Sequence, residues 1–218
     1  MSLPHYIPLK ERKAWMESCA IPHISKSLFE DIITYITDTL PSLGSDVTPI
    51  LFSDIDETII YNKFIGDYHE ANGQWQSTNQ QWKDWESNMN IYHDAIIYPD
   101  AYHFFENLRQ LGVKTAFITN SWNYDRVSSI MSIGGIYQGE LYDKIYARHC
   151  EESCCKTSRF HQAYKDMQQQ YGPIALLSSM GDSTGDDAST LGGKFFLFPN
   201  SIYRNCPYFE AYQKQQTA

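Results

Sequence analysis

Apolar residues recur along this chain in two rhythms, and the change from one to the other marks its elements. Leu28, Phe29, Ile32, Ile33, Ile36 and Leu40 fall three or four apart, the spacing of one helix face. Ser27-Leu28-Phe29-Glu30 matches a capping box at the start of that helix, and Pro41 ends it. A loop, Leu43-Gly44-Ser45-Asp46, leads into a short apolar run at Ile50 to Ser53 that reads as a buried strand. From Pro99 onward, helix and strand alternate. A helix beginning at Pro99 carries the stripe Ala101, Phe104, Phe105 and Leu108 and ends near Gly112. Strands are predicted at Val113 to Thr119, Lys144 to Arg148, Ile174 to Met180 and Lys194 to Phe198. Between them lie a helix from Asp125 to Ile133 and another, capped by Thr157 or Ser158, that reaches Tyr171. A shorter helix runs from Asp186 or Asp187 to Leu191.

This alternation predicts an α/β fold with a doubly wound, mainly parallel sheet. The right-handed crossover rule places the carboxyl ends of all its strands along one edge. Residues 60–97 break the pattern, being far longer than a usual strand-to-helix connection and rich in aromatics. A helix starting near Thr78 would carry Trp82 and Trp85 on one face. The expected organisation is a helical lead-in at 1–48, an α/β core made of 49–59 and 98–218, and a small, largely helical cap inserted at 60–97.

Composition narrows the partners. With 218 residues, the chain is long enough for one sizeable domain. Its net charge of −9 and lack of a basic block argue against nucleic acid polymers and anionic membranes, though not against nucleotides as small substrates. No apolar run approaches a membrane span and the first residues lack a secretory apolar core, so a cytoplasmic location is expected, with non-classical export left open. There are five cysteines. Three follow His149 as Cys150, Cys154 and Cys155, but the paired spacing of a zinc site is missing, so they read as free thiols. No internal repeat or low-complexity segment is present.

The predicted strand ends carry the chemistry. Asp54 and Asp56 follow the first strand, Thr119 and Asn120 the second, Lys156 opens a helix, and Asp182, Asp186 and Asp187 follow the fourth strand. Taken alone, Asp54-Ile55-Asp56 is open to a plain reading as an acidic turn that caps a helix. Two carboxylates that close also repel, which calls for a cation or a shared proton. The four motifs together, DIDET, ITN, the lysine and GDSTGDD, resemble the haloacid dehalogenase-like (HAD) hydrolase superfamily in order and spacing. The stretch from Trp82 to Asn120 looks most like the class B and class III acid phosphatases.

The resemblance implies a Mg²⁺-dependent phosphomonoester hydrolase with an aspartyl-phosphate intermediate. Asp54 would be the nucleophile and Asp56 the general acid and base. Thr119, Asn120 and Lys156 would hold the phosphoryl oxygens. Metal ligands would come from Asp54, Asp56 through its backbone carbonyl, and Asp182, with Asp186 or Asp187 orienting metal waters. The substrate would be a small phosphate ester, a metabolite or nucleotide, stacked on aromatics such as Tyr61, Phe64, Trp82 or Trp122. Three points stay open at the level of sequence. Arg148 rivals Lys156 as a phosphate ligand. A phosphotransferase or phosphomutase shares the same intermediate. A non-catalytic binding protein could keep the same fold.

Overall fold

The computed structural model describes residues 20–61, 96–98, 100–121, 123–148 and 155–198. Helix α1 spans Ala20–Thr39 and ends in a 3-10 turn, Leu40–Ser42, with Pro41 at its start. It begins upstream of Ser27, so the expected capping box is not a helix start. Ser27 and Glu30 are exposed in the interior of the helix, and the apolar stripe continues back to Ile24, one turn before Leu28. A buried stripe that persists upstream lets tertiary packing carry the helix past a local stop signal. Ile24, Leu28, Phe29, Ile32 and Ile36 are all buried.

The strands are β1 (Thr48–Ser53), β2 (Ile60–Tyr61), β3 (Ile96–Ile97), β4 (Lys114–Ile118), β5 (Lys144–Tyr146), β6 (Ile174–Gly181) and β7 (Lys194–Leu197). The helices after α1 are α2 (Ala101–Gln110), α3 (Tyr124–Ile133) and α4 (Thr157–Tyr171). Five strands form one sheet in the order β5-β4-β1-β6-β7, with every pairing parallel. β1 is central, and Ile50, Leu51 and Phe52 are fully buried on both its faces. Pro49 is tolerated there because only β6 pairs alongside it; the β4 pairing begins at Ile50.

Helices cover both faces of the sheet. Leu51, Phe117, Leu177 and Phe196 join a core with residues of α1, α2 and α3. Ile50, Phe52, Ala116 and Leu176 face the other way, onto Phe160, Ala163 and Met167 of α4. Phe29 of α1 stacks on Phe104 of α2, with ring centroids 4.6 Å apart. A separate antiparallel pair, β2 with β3, joins Ile60 to Ile97 and Tyr61 to Ile96, so it closes the two ends of the intervening segment. The helix expected near Thr78, with Trp82 and Trp85, lies outside the described residues. So do His149, Cys150 and Cys154. Cys155 is exposed, with its sulfur 3.2 Å from the Thr157 hydroxyl.

Two local expectations are corrected. Lys156, and neither Thr157 nor Ser158, is the N-cap of α4, and its side chain makes no cap bond because it points into the site. The short helix expected after Asp186 or Asp187 is instead two 3-10 turns, Thr184–Asp186 and Ser189–Leu191. The first is held by a capping box in which Ser183 and Asp186 satisfy each other's backbone groups.

The chain runs outward from β1 to β4 and β5, then crosses back to β6 and β7. The order reverses between β1 and β6, which opens a crevice at their carboxyl ends, where open α/β sheets bind ligands. Gly181 ends β6 there because a Cβ would stand 2.2 Å from the Asp186 Cβ. Gly181→Ala should therefore be destabilising by about 1–3 kcal/mol. Thermal denaturation should show a Tm lower by about 2–12 °C. An unchanged Tm would mean that Asp186 does not need to pack against β6.

Candidate active site

The residue after β1 continues its ladder: the Asp54 amide donates to the Met180 carbonyl at 2.9 Å. The chain then turns sharply. The Ile55 carbonyl accepts from the amides of Thr58, Ile59 and Ile60 at 3.2, 2.8 and 3.0 Å. Glu57 takes φ = 61°, a left-handed conformation uncommon outside glycine and often found beside functional sites. The turn leaves Asp54 and Asp56 at the mouth of the crevice, with Ile55 wholly buried between them in sequence.

Lys156 reaches this mouth from the start of α4. Its Nζ donates to Asp54 Oδ1 at 2.5 Å and to Asp186 Oδ1, and all three residues are at least 95% buried. Asp186 is held from behind by Ser183, whose amide and hydroxyl donate to Oδ2 at 2.9 and 2.8 Å. Asp182 completes the group, with carboxylate oxygens of Asp54, Asp182 and Asp186 all within 4.8 Å of one another. Burial pushes the Asp54 carboxyl well above the usual carboxylate range. The charges of Asp186, Asp182 and Asp56 add to this, and Lys156 pulls the other way. Burial alone would lower the Lys156 ammonium, but Asp54 and Asp186 outweigh it and hold its pKa raised. Lys156 therefore stays charged.

Two buried carboxylates and the half-buried Asp182 around one ammonium give the cluster an excess of negative charge when all ionise. Hard oxygen donors at this spacing fit a small divalent cation such as Mg²⁺, which would cancel that excess.

Asp56 sits in a different environment, with its side chain 27% exposed. Arg126 Nη2 donates to Asp56 Oδ1 at 2.8 Å, and the Thr119 hydroxyl donates to Oδ2 at 3.0 Å. Thr119 Oγ1 in turn accepts from the Ser121 amide at 2.9 Å. Arg126 is 1% exposed and also reaches Ser121 Oγ at 3.3 Å. A fixed, part-exposed carboxylate beside a deeply buried one can exchange a proton with a ligand while its neighbour stays out of water.

The structure thus brings Asp54, Asp56, Thr119, Lys156, Asp182 and Asp186 to one edge. It separates Asp186 from Asp187, which is exposed and accepts from the Ser189 amide at 2.8 Å. It also separates Lys156 from Arg148, whose side chain lines a groove beside Tyr146 and Arg159. Asn120 is exposed, and its side-chain oxygen accepts from Arg159 Nη2. Tyr61 is 1% exposed, packed in the core with its ring against Tyr98 at 6.1 Å. Phe64, Trp82 and Trp122 lie outside the described residues.

Arg126 and Arg159 belong to none of the four motifs, yet their phase carries a signal. Arg126 falls in phase with Val127, Ile130 and Met131, and Arg159 with Phe160, Ala163 and Met167, on the buried stripes of α3 and α4. An arginine on an apolar stripe needs a buried acceptor, because such residues are seldom buried unpaired.

Comparison with known proteins agrees with this geometry. The family model "HAD superfamily, subfamily IIIB (Acid phosphatase)" matches residues 13–206. The class C acid phosphatase of Bacillus anthracis superposes with a TM-score of 0.63 at 17% identity, over 89% of this chain and 84% of that one. A structure of class C acid phosphatase from Bacillus anthracis with tungstate bound gives 0.59 at 16%, over 94% of both. A haloacid dehalogenase-like hydrolase from Streptococcus pneumoniae gives 0.51 at 17%, over 78% and 92%. No curated protein matches in sequence. With all of the described residues and both carboxylate-bearing strand ends inside the matched span, the chain belongs to the subfamily IIIB acid phosphatases of the HAD superfamily and is a phosphatase.

Proposed function

We propose that this phosphatase works through Asp54 as nucleophile and Asp56 as general acid and base, with Mg²⁺ as its cation. The observation that carries the reading is the unequal treatment of the two carboxylates. Asp54 is buried against Lys156, while Asp56 is part-exposed between Arg126 and Thr119. Asp54 Oδ2, free of the Lys156 bond, attacks phosphorus, the phosphorus–oxygen bond to the leaving group breaks, and Asp56 gives that oxygen a proton. In the second step Asp56 takes a proton from water, which attacks the phosphoryl-aspartate and releases phosphate and Asp54.

Lys156 offsets the repulsion between Asp54 and the incoming anion, and Asp186 fixes Lys156 rather than acting alone. Thr119 turns its hydroxyl from Asp56 to a phosphoryl oxygen as substrate enters. Asp54, Asp182 and the Asp56 carbonyl would hold the cation, and bound there it would neutralise charge on the phosphoryl oxygens. Residues 60–97 form a small cap over the crevice in this reading, which the pairing of β2 with β3 at the two ends of the segment supports. The substrate is a small phosphomonoester, a metabolite or nucleotide, met in a cytoplasmic setting. Among the described residues, no helix is long and apolar enough to cross a membrane.

The purified protein should hydrolyse an aryl phosphate with Mg²⁺ and stop when a chelator is added. Asp54→Asn should lower kcat/KM by about 10³-fold or more. Full activity in that variant would sink the mechanism.

Arg126 is a positioning residue for Asp56, so Arg126→Gln should lower kcat by about 10–100-fold with a smaller change in KM. The loss should be larger on an alkyl phosphate than on 4-nitrophenyl phosphate, whose leaving group needs little protonation. Equal losses on both substrates would indicate a structural role only.

The raised pKa of Asp54 also sets a pH dependence of stability without metal. The folded state holds a proton that the unfolded state has released. Stability should therefore fall as pH rises from about 4, the unfolded carboxylate value, through the raised folded value. The Lys156 contribution persists across this window and is lost only as pH passes its raised folded value. Mg²⁺ should accordingly raise Tm more at pH 8 than at pH 5 in a thermal-shift titration. An equal rise at both pH values would count against Asp54 as a ligand.

A further inference from the structure

A second basic feature lies beside the site. A groove of about 660 Å³ runs along β5, lined by Tyr124, Tyr146, Arg148, Ser158, Arg159 and Gln162 among others. It adjoins the reaction edge at two points. The Arg148 amide donates to the Ser121 carbonyl at 3.1 Å, two residues past Thr119. Arg159, which is 5% exposed, bonds the Asn120 side chain from one helical turn beyond Lys156. Cβ atoms three apart on a helix stand about 5–6 Å apart, so Arg159 starts beside Lys156 while its guanidinium turns to Asn120, next to Thr119 at the reaction edge.

The groove is built for an anion. Among the described residues that line it, the acidic one, Asp166, is engaged on one oxygen by Lys144 Nζ and the Tyr146 hydroxyl, both at 3.1 Å, and on the other by Gln162 at 2.5 Å. That leaves Arg148. Among the described residues its guanidinium has no carboxylate partner, and its Nε is buried with no hydrogen-bond acceptor. A buried charged donor without an acceptor is costly, and a planar carboxylate or a phosphate satisfies a guanidinium edge with two parallel bonds.

Resting on the phosphatase reading above, we propose that the Arg148–Arg159 groove receives a second anionic group, a carboxylate or phosphate, carried on the leaving-group side of the substrate. The preferred substrates are then doubly anionic phosphomonoesters.

Phenyl phosphate and 4-carboxyphenyl phosphate differ by one such group and test this in wild type, Arg148→Gln and Arg148→Lys. Wild type should favour the carboxylated ester in kcat/KM. Arg148→Gln should reduce that preference about tenfold, and Arg148→Lys should keep part of it. Loss of folded protein lowers both rates and leaves their ratio unchanged. A ratio equal in wild type and Arg148→Gln would overturn the proposal.

A binding arm separates the two readings. By calorimetry, 4-carboxybenzylphosphonate should bind wild type more tightly than benzylphosphonate, and Arg148→Gln should erase the difference. Failure to hydrolyse either ester with the Kd difference intact would count against turnover and support the groove. Equal Kd values would overturn the groove whatever the turnover. Relief of the carboxylated-ester preference by millimolar benzoate would show a site for the anion itself. Benzoate without effect on that preference would overturn the proposal.

Discussion

A single buried ammonium holds this site together. Lys156 donates to Asp54 and Asp186 in a region almost closed to water, and neither carboxylate could stay there ionised without it. The contact ties three distant parts of the chain: the end of β1, the start of α4 and the turn after β6. Asp54 and Lys156 are 102 residues apart, so the cluster forms only when the sheet has assembled. Gly181 and the Ser183 capping box exist in this arrangement to let Asp186 lie over the end of β6 and present one oxygen to the lysine.

The cluster is also deliberately incomplete. One lysine cannot balance three carboxylates, and Asp54 answers with a pKa pushed upward by burial and by its acidic neighbours. That imbalance makes the crevice a place for a cation and, once the cation is there, for an anion. Asp56 is spared it. Arg126 and Thr119 hold it at the rim, part-exposed, so that two aspartates two residues apart live in different electrostatic surroundings. The αL turn at Glu57 separates those surroundings without lengthening the chain between them.

Much of the fold was legible from spacing. Central strands buried on both faces read as unbroken apolar runs, and helices between them as stripes three and four apart, so α2, α3, α4 and the five strands fall near their expected places. Local chemistry and tertiary packing disagree at the starts of two helices. Ser27 and Glu30 satisfy a capping pattern, yet Ile24 upstream is buried and α1 continues through them. Thr157 looks like a cap, yet the cap position belongs to Lys156, whose side chain is held by Asp54 and Asp186.

By itself the sequence determined which groups gather at the reaction edge, because a parallel sheet with right-handed crossovers puts every strand end on one side. Asp54, Asp56, Thr119 and Asp182 follow from that rule and from their positions at the ends of apolar runs, while Lys156, which opens a helix, was pointed to by the resemblance of the four motifs. Only the tertiary structure decided who holds whom. Asp186 and Asp187 are neighbours in sequence, and the curl of a 3-10 turn points one inward and the other out. Lys156 and Arg148 compete on paper, and packing places one in the carboxylate cluster and the other in a groove along β5. Arg126 meets Asp56 across 70 residues. Its burial was visible in the stripe of α3, but its partner was not, since such pairings depend on how elements pack and not on their spacing along the chain.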